Sequence, residues 1–194
     1  MVKLNKDILY RITQTDNSII IIDGITCAGK TTFSNLLKKI FKKKNKNAHL
    51  ISKDLFLLPR NKRISVIKNF KNKYSLNQNL IHYDQKKLQK LFLHIKSKKN
   101  TKLIIKGLYD RNIGRNTKTE VFQFKKNNVI IFEGLYILED LKKYFKVDLK
   151  ILITNNVYKS LMQKIERIRD KKISIDNVVK EFTSIHLSSF KRYL

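Results

Sequence analysis

The sequence has few of the residues that interrupt, cross-link or anchor a chain. Its 194 residues include one cysteine, one proline, five glycines and no tryptophan. A single cysteine excludes an intramolecular disulfide framework and a zinc site built from cysteines. No apolar run exceeds four residues, and a transmembrane helix needs about 20. Residues 1–10 alternate charged and apolar types, unlike a signal peptide. We therefore expect a cytoplasmic protein without a membrane partner.

Acidic residues are also scarce. The chain has 15 Asp and Glu against 43 Lys and Arg, which gives a formal net charge of +28. Such a charge raises the hypothesis of a nucleic-acid-binding module. However, 35 of the basic residues are lysines and only 8 are arginines, the better residue for reading bases. They are also spread over the whole length. We interpret the charge mainly as the composition of an A/T-rich genome, and expect anionic ligands but no specific nucleic-acid partner.

The hydrophobic pattern alternates between strands and helices along the chain. This order predicts an α/β fold with a parallel sheet flanked by helices, and the length suggests a single domain over residues 1–194. In the first helix the apolar face would consist of Phe33, Leu36, Leu37 and Ile40. The predicted strands are residues 18–23, 48–52, 129–132 and 149–153. The predicted helices are residues 31–43, 84–96, 157–171 and 177–193. A hairpin is predicted with arms at residues 102–109 and 119–124 and with polar residues 110–118 between them.

Residues 24–31 carry the most specific motif. They read Gly-Ile-Thr-Cys-Ala-Gly-Lys-Thr and match G-x-x-x-x-G-K-[ST] at every fixed position, between a predicted strand and a predicted helix. The glycines allow a tight turn whose N–H groups face phosphates, and the helix N-terminus adds partial positive charge. Lys30 would reach the β- and γ-phosphates, and the Thr31 hydroxyl would ligate Mg²⁺. The predicted nucleotide-binding residues are Gly24, Ile25, Thr26, Cys27, Ala28, Gly29, Lys30, Thr31 and Thr32.

Two readings of Cys27 are open. It is either a reactive thiol at a helix N-terminus or a small residue at a variable position of the loop.

The sequence also limits the reaction classes that a nucleotide-binding protein of this kind could catalyse. The length and the single nucleotide motif disfavour a motor or transporter ATPase, and no Asn-Lys-x-Asp segment of the GTPase kind is present. A compact kinase remains.

Further segments resemble the uridine kinase and phosphoribulokinase family of P-loop kinases, and uridine kinases most closely. Residues 52–56, Ser-Lys-Asp-Leu-Phe, are similar to the family's D-S-F-Y segment. Residues 129–135 resemble its apolar strand ending in Glu-Gly. Residues 147–151 and 164–170 resemble its V-D-x-x-I strand and its arginine-rich lid. The resemblance runs from about residue 19 to the C-terminus. It implies a P-loop kinase domain with a hairpin insertion at about 102–124 over the substrate side and a lid at about 164–176.

The resemblance also implies roles for individual residues. Asp54 would be the general base for the acceptor hydroxyl, unless it only caps a helical turn. Phe56 would line the nucleoside site, and Glu133 would act with Thr31 through the Mg²⁺ shell. Arg167 and Arg169 compete for the catalytic lid position, and a solvated basic helix is the alternative for both.

The nucleoside-recognition side departs from the family pattern. Tyr109 fits the family's hairpin tyrosine, but Gly114 stands where the family has a histidine. Asp84 would contact sugar hydroxyls or cap the helix that follows it. Lone histidines such as His82 are more often surface residues than ligands.

The resemblance implies phosphorylation of a nucleoside 5′-hydroxyl. The expected reaction converts uridine or cytidine to UMP or CMP with ATP, or GTP, and Mg²⁺, as in pyrimidine salvage, and the family suggests a homo-oligomer. The alternatives are another small-molecule kinase, acting on nicotinamide riboside, pantothenate or a nucleoside monophosphate, and a degenerate nucleotide-binding protein without catalysis. The replaced histidine motivates the last of these.

Overall fold

The computed structural model describes residues 7, 10, 18–69, 82–97, 101–124, 128–169 and 174–187. The strands are β1 Ser18–Gly24, β2 Asn47–Ser52, β3 Lys102–Asp110, β4 Arg115–Gln123, β5 Asn128–Glu133 and β6 Leu149–Ile153. A four-stranded parallel sheet with the order β2-β5-β1-β6 lies at the centre of the described residues, and β3 and β4 form a separate antiparallel hairpin. The helices are α1 Lys30–Lys43, α2 Arg60–Asn69, α3 Gln85–Lys96, α4 Ile137–Leu141, α5 Val157–Ile168 and α6 Ile175–Glu181.

Two shorter elements complete the description. A 3₁₀ turn, Lys53–Phe56, follows β2 directly, and a π-helical segment, Phe182–Leu187, continues α6. The prediction of an α/β fold with a parallel sheet and a hairpin is confirmed. No helix among the described residues has the length and apolar character needed to cross a bilayer.

The central strand β1 is buried on both faces, which explains its unbroken run of isoleucines. Ile19 and Ile21 pack on one side with α3 and the hairpin, and Ile20 and Ile22 pack on the other with α1. Because side chains alternate along a strand, one apolar run supplies both cores.

The face of α1 differs from the predicted one. The buried residues are Phe33, Ser34, Leu37 and Phe41, while Leu36 is 53% exposed. Ser34 occupies a core-facing position because its hydroxyl donates to the Lys30 carbonyl one turn earlier. A polar residue can therefore lie on the buried face, and the apolar pattern alone gave a face rotated from the true one.

The hairpin also differs from its prediction, since β4 begins at Arg115 and not at residue 119. Its tip is short because the Asp110 carboxylate accepts hydrogen bonds from the Asn112 and Ile113 N–H groups. Gly114 then takes φ +72°, a conformation open to glycine at little cost. The long polar loop predicted between the arms is thus mostly strand.

The C-terminal helices follow their predictions as far as the structure describes them. Helix α5 covers Val157–Ile168, and residues 170 and 171 of its predicted range lie outside the described residues. Helix α6 begins two residues before its predicted start and continues through the π-helical segment to Leu187, and the predicted residues 188–193 lie outside the described part of the chain. Helix α2 was not predicted. It begins directly after Pro59, a residue suited to helix starts.

Candidate active site

The phosphate loop connects β1 to α1 and begins the candidate site. Gly29 takes φ +95° at the N-terminus of α1, where no side chain caps the helix. The first N–H groups of an α-helix have no acceptor within the helix, so they are free to bind an anion. A Cβ atom at position 24 would overlap the Ile153 carbonyl oxygen. Glycine is therefore required at Gly24 by space and at Gly29 by conformation.

Lys30 lies folded along this loop. Its Nζ donates to the carbonyl oxygens of Gly24 and Ile25, both at 2.9 Å. Burial lowers the pKa of Lys30 from its ordinary value, and the Glu133 and Asp54 carboxylates offset part of that effect. The ammonium group is thus held in the concave side of the loop, where negative charge on a ligand would stabilise it.

Thr31 and Glu133 come together from opposite ends of the sequence. The Thr31 hydroxyl lies 3.4 Å from Oε1 and 3.3 Å from Oε2 of Glu133. Glu133 is the last residue of β5, which pairs in parallel with β1, so its carboxylate reaches the same edge of the sheet as the loop. A hydroxyl and a carboxylate oxygen are the hard donors that Mg²⁺ takes, with water and phosphate completing its shell. These two residues therefore fit a magnesium ion.

Asp23 was not singled out from the sequence, yet it fixes this edge. Its Oδ1 accepts from the Gly24 N–H at 2.7 Å and from the Tyr136 N–H at 3.0 Å. The carboxylate thereby joins the start of the phosphate loop to the turn after Glu133. An acidic residue just before the first loop glycine was the available signal.

Asp54 lies in the 3₁₀ turn after β2, at the carboxyl edge of the same sheet. Its carboxylate is 40% exposed, and its Oδ2 accepts from Nη2 of Arg111 at 2.6 Å. Arg111 comes from the hairpin tip and was not predicted. Local sequence gives no signal for this ion pair, because its partners are 57 residues apart.

The residue before Asp54 is a fully buried lysine. The Nζ of Lys53 lies 2.8 Å from Oδ2 of Asp140, donates to the Leu135 carbonyl at 2.9 Å, and stands 4.3 Å from the centre of the Tyr83 ring. A Cβ atom at Gly134 would lie only 2.6 Å from the Lys53 Cβ. Lys53 thus packs the Asp54 segment against the turn that follows Glu133.

One cavity of about 380 Å³ connects these groups. We call it the central cavity. It is lined by loop residues 26–32, by Asp54 and Glu133, and by side chains of α5 and the C-terminal segment. The predicted residues that line it are Thr26, Cys27, Ala28, Gly29, Lys30, Thr31, Thr32, Asp54, Glu133 and Arg167.

Other predicted residues lie elsewhere. Phe56 is fully buried in the core, and Leu57 lines the cavity in its place. Asp84 caps α3 by accepting from the Lys87 N–H, and its carboxylate pairs with the Lys87 ammonium. Tyr109 lies behind the cavity wall, where its hydroxyl accepts from Arg63.

The two arginines predicted for the lid differ in position. Arg167 lines the central cavity, whereas Arg169 is 80% exposed and lies 3.9 Å from Glu166. Within α5, Lys164 also faces the cavity and pairs with Glu181 at 3.3 Å. The predicted lid includes residues 170–173, which lie outside the described part of the chain.

The C-terminal segment closes one side of the cavity. His186 contacts Glu181 at 3.1 Å. This hydrogen bond, aided by the Lys164 charge, lowers the pKa of Glu181 to about 2. Phe182 packs on Ile25 and Ala28 of the phosphate loop, which fixes the segment against the site.

The sequence is similar to known proteins over most of its length. The model of the phosphoribulokinase/uridine kinase family matches residues 19–194. A uridine kinase of Mycoplasma genitalium is 30% identical over 171 residues, which cover 86% of this chain and 74% of the relative. A uridine kinase of Brevibacillus brevis is 25% identical over 171 residues, 84% of this chain and 72% of the relative.

A solved structure shows the same fold. The D-glycerate 3-kinase of Cryptococcus neoformans var. grubii superposes with a TM-score of 0.64 at 13% identity, over 95% of this chain and 85% of that one. The family model covers all the residues of the central cavity. The chain belongs to the phosphoribulokinase/uridine kinase family and is a phosphotransferase.

Proposed function

We propose that this protein is an ATP- and Mg²⁺-dependent kinase that phosphorylates the 5′-hydroxyl of a pyrimidine nucleoside, uridine or cytidine. The observation that carries the proposal is that one cavity is lined both by the phosphate loop with Glu133 and by the Asp54 carboxylate. A kinase needs these two halves to face the same space. The uridine kinase relatives support a nucleoside as the acceptor.

The donor side is formed by this chain's cationic and N–H groups. The loop N–H groups and Lys30 bind the β- and γ-phosphates. To do so, Lys30 gives up its hydrogen bonds to two loop carbonyl oxygens and donates to phosphate oxygens instead. Thr31 and Glu133 would hold Mg²⁺, and a bound Mg²⁺ would offset negative charge on the phosphate groups. Arg167 approaches from α5 and stabilises charge on the transferred group.

Asp54 acts on the acceptor side. It accepts the proton of the acceptor hydroxyl while that oxygen bonds to the γ-phosphorus. The bond from this phosphorus to the β–γ bridging oxygen breaks, and ADP leaves. Phosphoryl transfer depends mainly on such positioning, so the Lys53 anchor beside Asp54 contributes by holding it.

The Asp54→Asn variant tests the proposal. It keeps the shape of the side chain but cannot accept the proton, so we expect turnover of uridine or cytidine to fall by about 10²–10⁴-fold, while ATP affinity measured by calorimetry stays near wild type. The matched control is Asp176→Asn, which changes an exposed carboxylate on α6 outside the cavity. Turnover within about tenfold of wild type would contradict the role of Asp54.

A panel of donors and acceptors identifies the substrate. ATP and GTP are compared with uridine, cytidine, nicotinamide riboside, pantothenate and nucleoside monophosphates. Product from uridine or cytidine supports the proposal, and product only from another acceptor replaces the nucleoside assignment. ATP binding without product from any acceptor would indicate a nucleotide-binding protein without catalysis.

A further inference from the structure

The Asp54 carboxylate is held from one side by a cation of the hairpin. Its Oδ2 accepts from Nη2 of Arg111 at 2.6 Å, and both side chains line the central cavity. Among the described residues, Oδ1 of Asp54 has no hydrogen-bond or ion-pair partner. The carboxylate assigned to the acceptor proton thus has one oxygen bound by the protein and one oxygen open.

The tip of the hairpin gives Arg111 a fixed starting point. The Asp110 carboxylate accepts from the Asn112 and Ile113 N–H groups. The Asp110 carbonyl accepts from the Gly114 N–H at 2.8 Å, so these bonds close a tight turn around Arg111. The backbone at this position is therefore constrained, although the Arg111 side chain is 62% exposed.

The same tip is attached to the segment that contains Asp54. The Asn116 side chain donates to the Leu57 carbonyl at 3.0 Å. The Leu57 N–H in turn donates to the Asp54 carbonyl at 3.3 Å and closes the 3₁₀ turn. The hairpin tip and the Asp54 turn are thus joined by backbone contacts, and the Arg111–Asp54 ion pair is built on that junction.

Asp54 also lies within range of a second cation. Its charge acts on the Lys30 ammonium and raises the pKa of Lys30, against the larger effect of burial, which lowers it. A carboxylate that was free to turn would be drawn toward this ammonium, and the resulting ion pair would occupy the cation that the phosphates of ATP need. Arg111 supplies a counter-ion from the hairpin, so Asp54 remains apart from the phosphate loop.

We propose that Arg111 is a positioning residue for phosphoryl transfer: it holds Asp54 by Oδ2 and leaves Oδ1 to accept the proton of the acceptor hydroxyl. This inference rests on the proposed kinase function and on Asp54 as its base. The hydroxyl proton passes to Oδ1 as the acceptor oxygen bonds to the γ-phosphorus. The bond from this phosphorus to the β–γ bridging oxygen breaks, and ADP leaves.

The exposure of the pair determines where its effect should be measured. Both side chains are at least 40% exposed, and exposed ion pairs contribute little to stability. Phosphoryl transfer depends mainly on the placement of the reacting groups, and a misplacement of roughly 1 Å can cost about 10²-fold in rate. Loss of the Arg111 contact should therefore lower turnover and leave the fold intact.

The experiment measures kinetics at saturating MgATP with uridine as the varied acceptor. Arg111→Gln should lower kcat by at least about tenfold and change KM for uridine by less than about threefold, because it displaces Asp54 and leaves the acceptor site in place. A smaller loss of kcat, or a loss that appears in KM alone, would overturn the inference. A thermal unfolding midpoint equal to that of the wild type shows that the variant is folded.

The same substitution in an Asp54→Ala background shows through which residue Arg111 acts. Without the carboxylate Arg111 has nothing to hold, so Arg111→Gln should then lower the residual kcat by less than about threefold. A larger further loss would mean that Arg111 acts on the substrates or on the fold directly, and it would overturn the inference.

Two more variants separate the contact from charge in general. Arg111→Lys keeps a positive charge and a donor for the single hydrogen bond, so it should retain more of kcat than Arg111→Gln; equal losses would overturn the inference. Arg115→Gln removes an exposed arginine of the same hairpin that does not line the cavity, and it should keep the wild-type kcat. A loss as large as that of Arg111→Gln in this control would assign the effect to general charge and overturn the role of Arg111.

The outcomes separate this inference from the proposed function. Turnover of uridine by the wild type together with full turnover by Arg111→Gln would overturn the inference alone. If the acceptor panel identifies another hydroxyl compound, the same variants are compared with that acceptor and decide in the same way. No product from any acceptor, or turnover by Asp54→Asn within about tenfold of wild type, would overturn the kinase mechanism and the inference with it.

Discussion

The buried Lys53–Asp140 pair gives a sharp test of how the site is held together. Lys53 is fully buried and the Asp140 side chain is 6% exposed. Lys53→Met keeps the length of the side chain but removes its charge and leaves the Asp140 carboxylate buried without its counter-ion. Breaking a buried pair from one side costs about 3–5 kcal/mol. Domains of this kind have a free energy of unfolding of about 5–15 kcal/mol, so the variant should lose a large part of it.

Urea unfolding at constant pH measures this cost, with Lys118→Met as the control. Lys118 forms an ion pair with Glu120 at 2.6 Å, but both side chains are solvent-exposed by a third or more. Exposed pairs contribute about 0–1 kcal/mol, so this variant should remain close to wild type. The two lysine-to-methionine changes are alike in chemistry and differ in burial.

A double-mutant cycle with Asp140→Asn completes the test. Lys53→Met with Asp140→Asn should cost less than the sum of the single changes, because the second removes the charge that the first leaves unpaired. If Lys53→Met costs no more than Lys118→Met, or if the two single costs simply add, the buried pair does not anchor the Asp54 turn. Either result would also contradict the role of Lys53 in positioning Asp54.

Three further predictions concern the rest of the cavity. Arg167→Gln should lower kcat by about 10²-fold and Arg169→Gln by less than about threefold, since only the first side chain lines the cavity; equal losses would refute the assignment of the lid arginine. Cys27, the one thiol in the chain, lines the cavity, so bound MgATP should slow its alkylation in a mass-spectrometric time course, and an unchanged rate would separate Cys27 from the nucleotide site. The pKa of Glu181 falls from 4.5 to about 2 on folding, so its carboxylate stabilises the fold above pH 4.5 and this contribution is lost as the pH falls toward 2. Glu181→Gln should therefore lose less stability than wild type between pH 5 and pH 3 in urea unfolding, by a modest amount because Glu181 is half exposed.

The parts of the fold that depend on local pattern could be predicted from the sequence. The strands of the central sheet, α1, α3 and the phosphate loop each combine a short apolar period with clear flanking residues. The proximity of Thr31 and Glu133 could also be inferred, because Glu133 ends an apolar strand and such strand ends meet at one edge of a parallel sheet. The sequence pattern did not predict the 3₁₀ turn after β2. With this turn Phe56 is buried in the core, and Leu57 lines the cavity where Phe56 was expected.

The sequence did not decide between alternative roles of single polar residues, and it did not predict the contacts between distant segments. Asp84 was assigned either to a sugar or to a helix cap, and only the fold shows that its carboxylate accepts from the Lys87 N–H. The apolar face of α1 was misjudged because a serine that bonds its own backbone can be buried. Arg63 and Arg111 reach the cavity through the packing of α2 and the hairpin, and neither position shows any sequence pattern.

Composition did contain a signal for these arginines. Among the residues that the structure describes, three arginines and two lysines line the central cavity, although the whole sequence has 8 arginines and 35 lysines. If the basic residues were placed without regard to type, lysines would dominate the lining as they dominate the surface. In a lysine-rich chain, arginines therefore mark the positions where a forked, always-charged donor is needed. The overall charge of +28 says little about the ligand, whereas the choice of arginine at Arg63, Arg111 and Arg167 marks the lining of the cavity as different from the lysine-rich remainder of the chain.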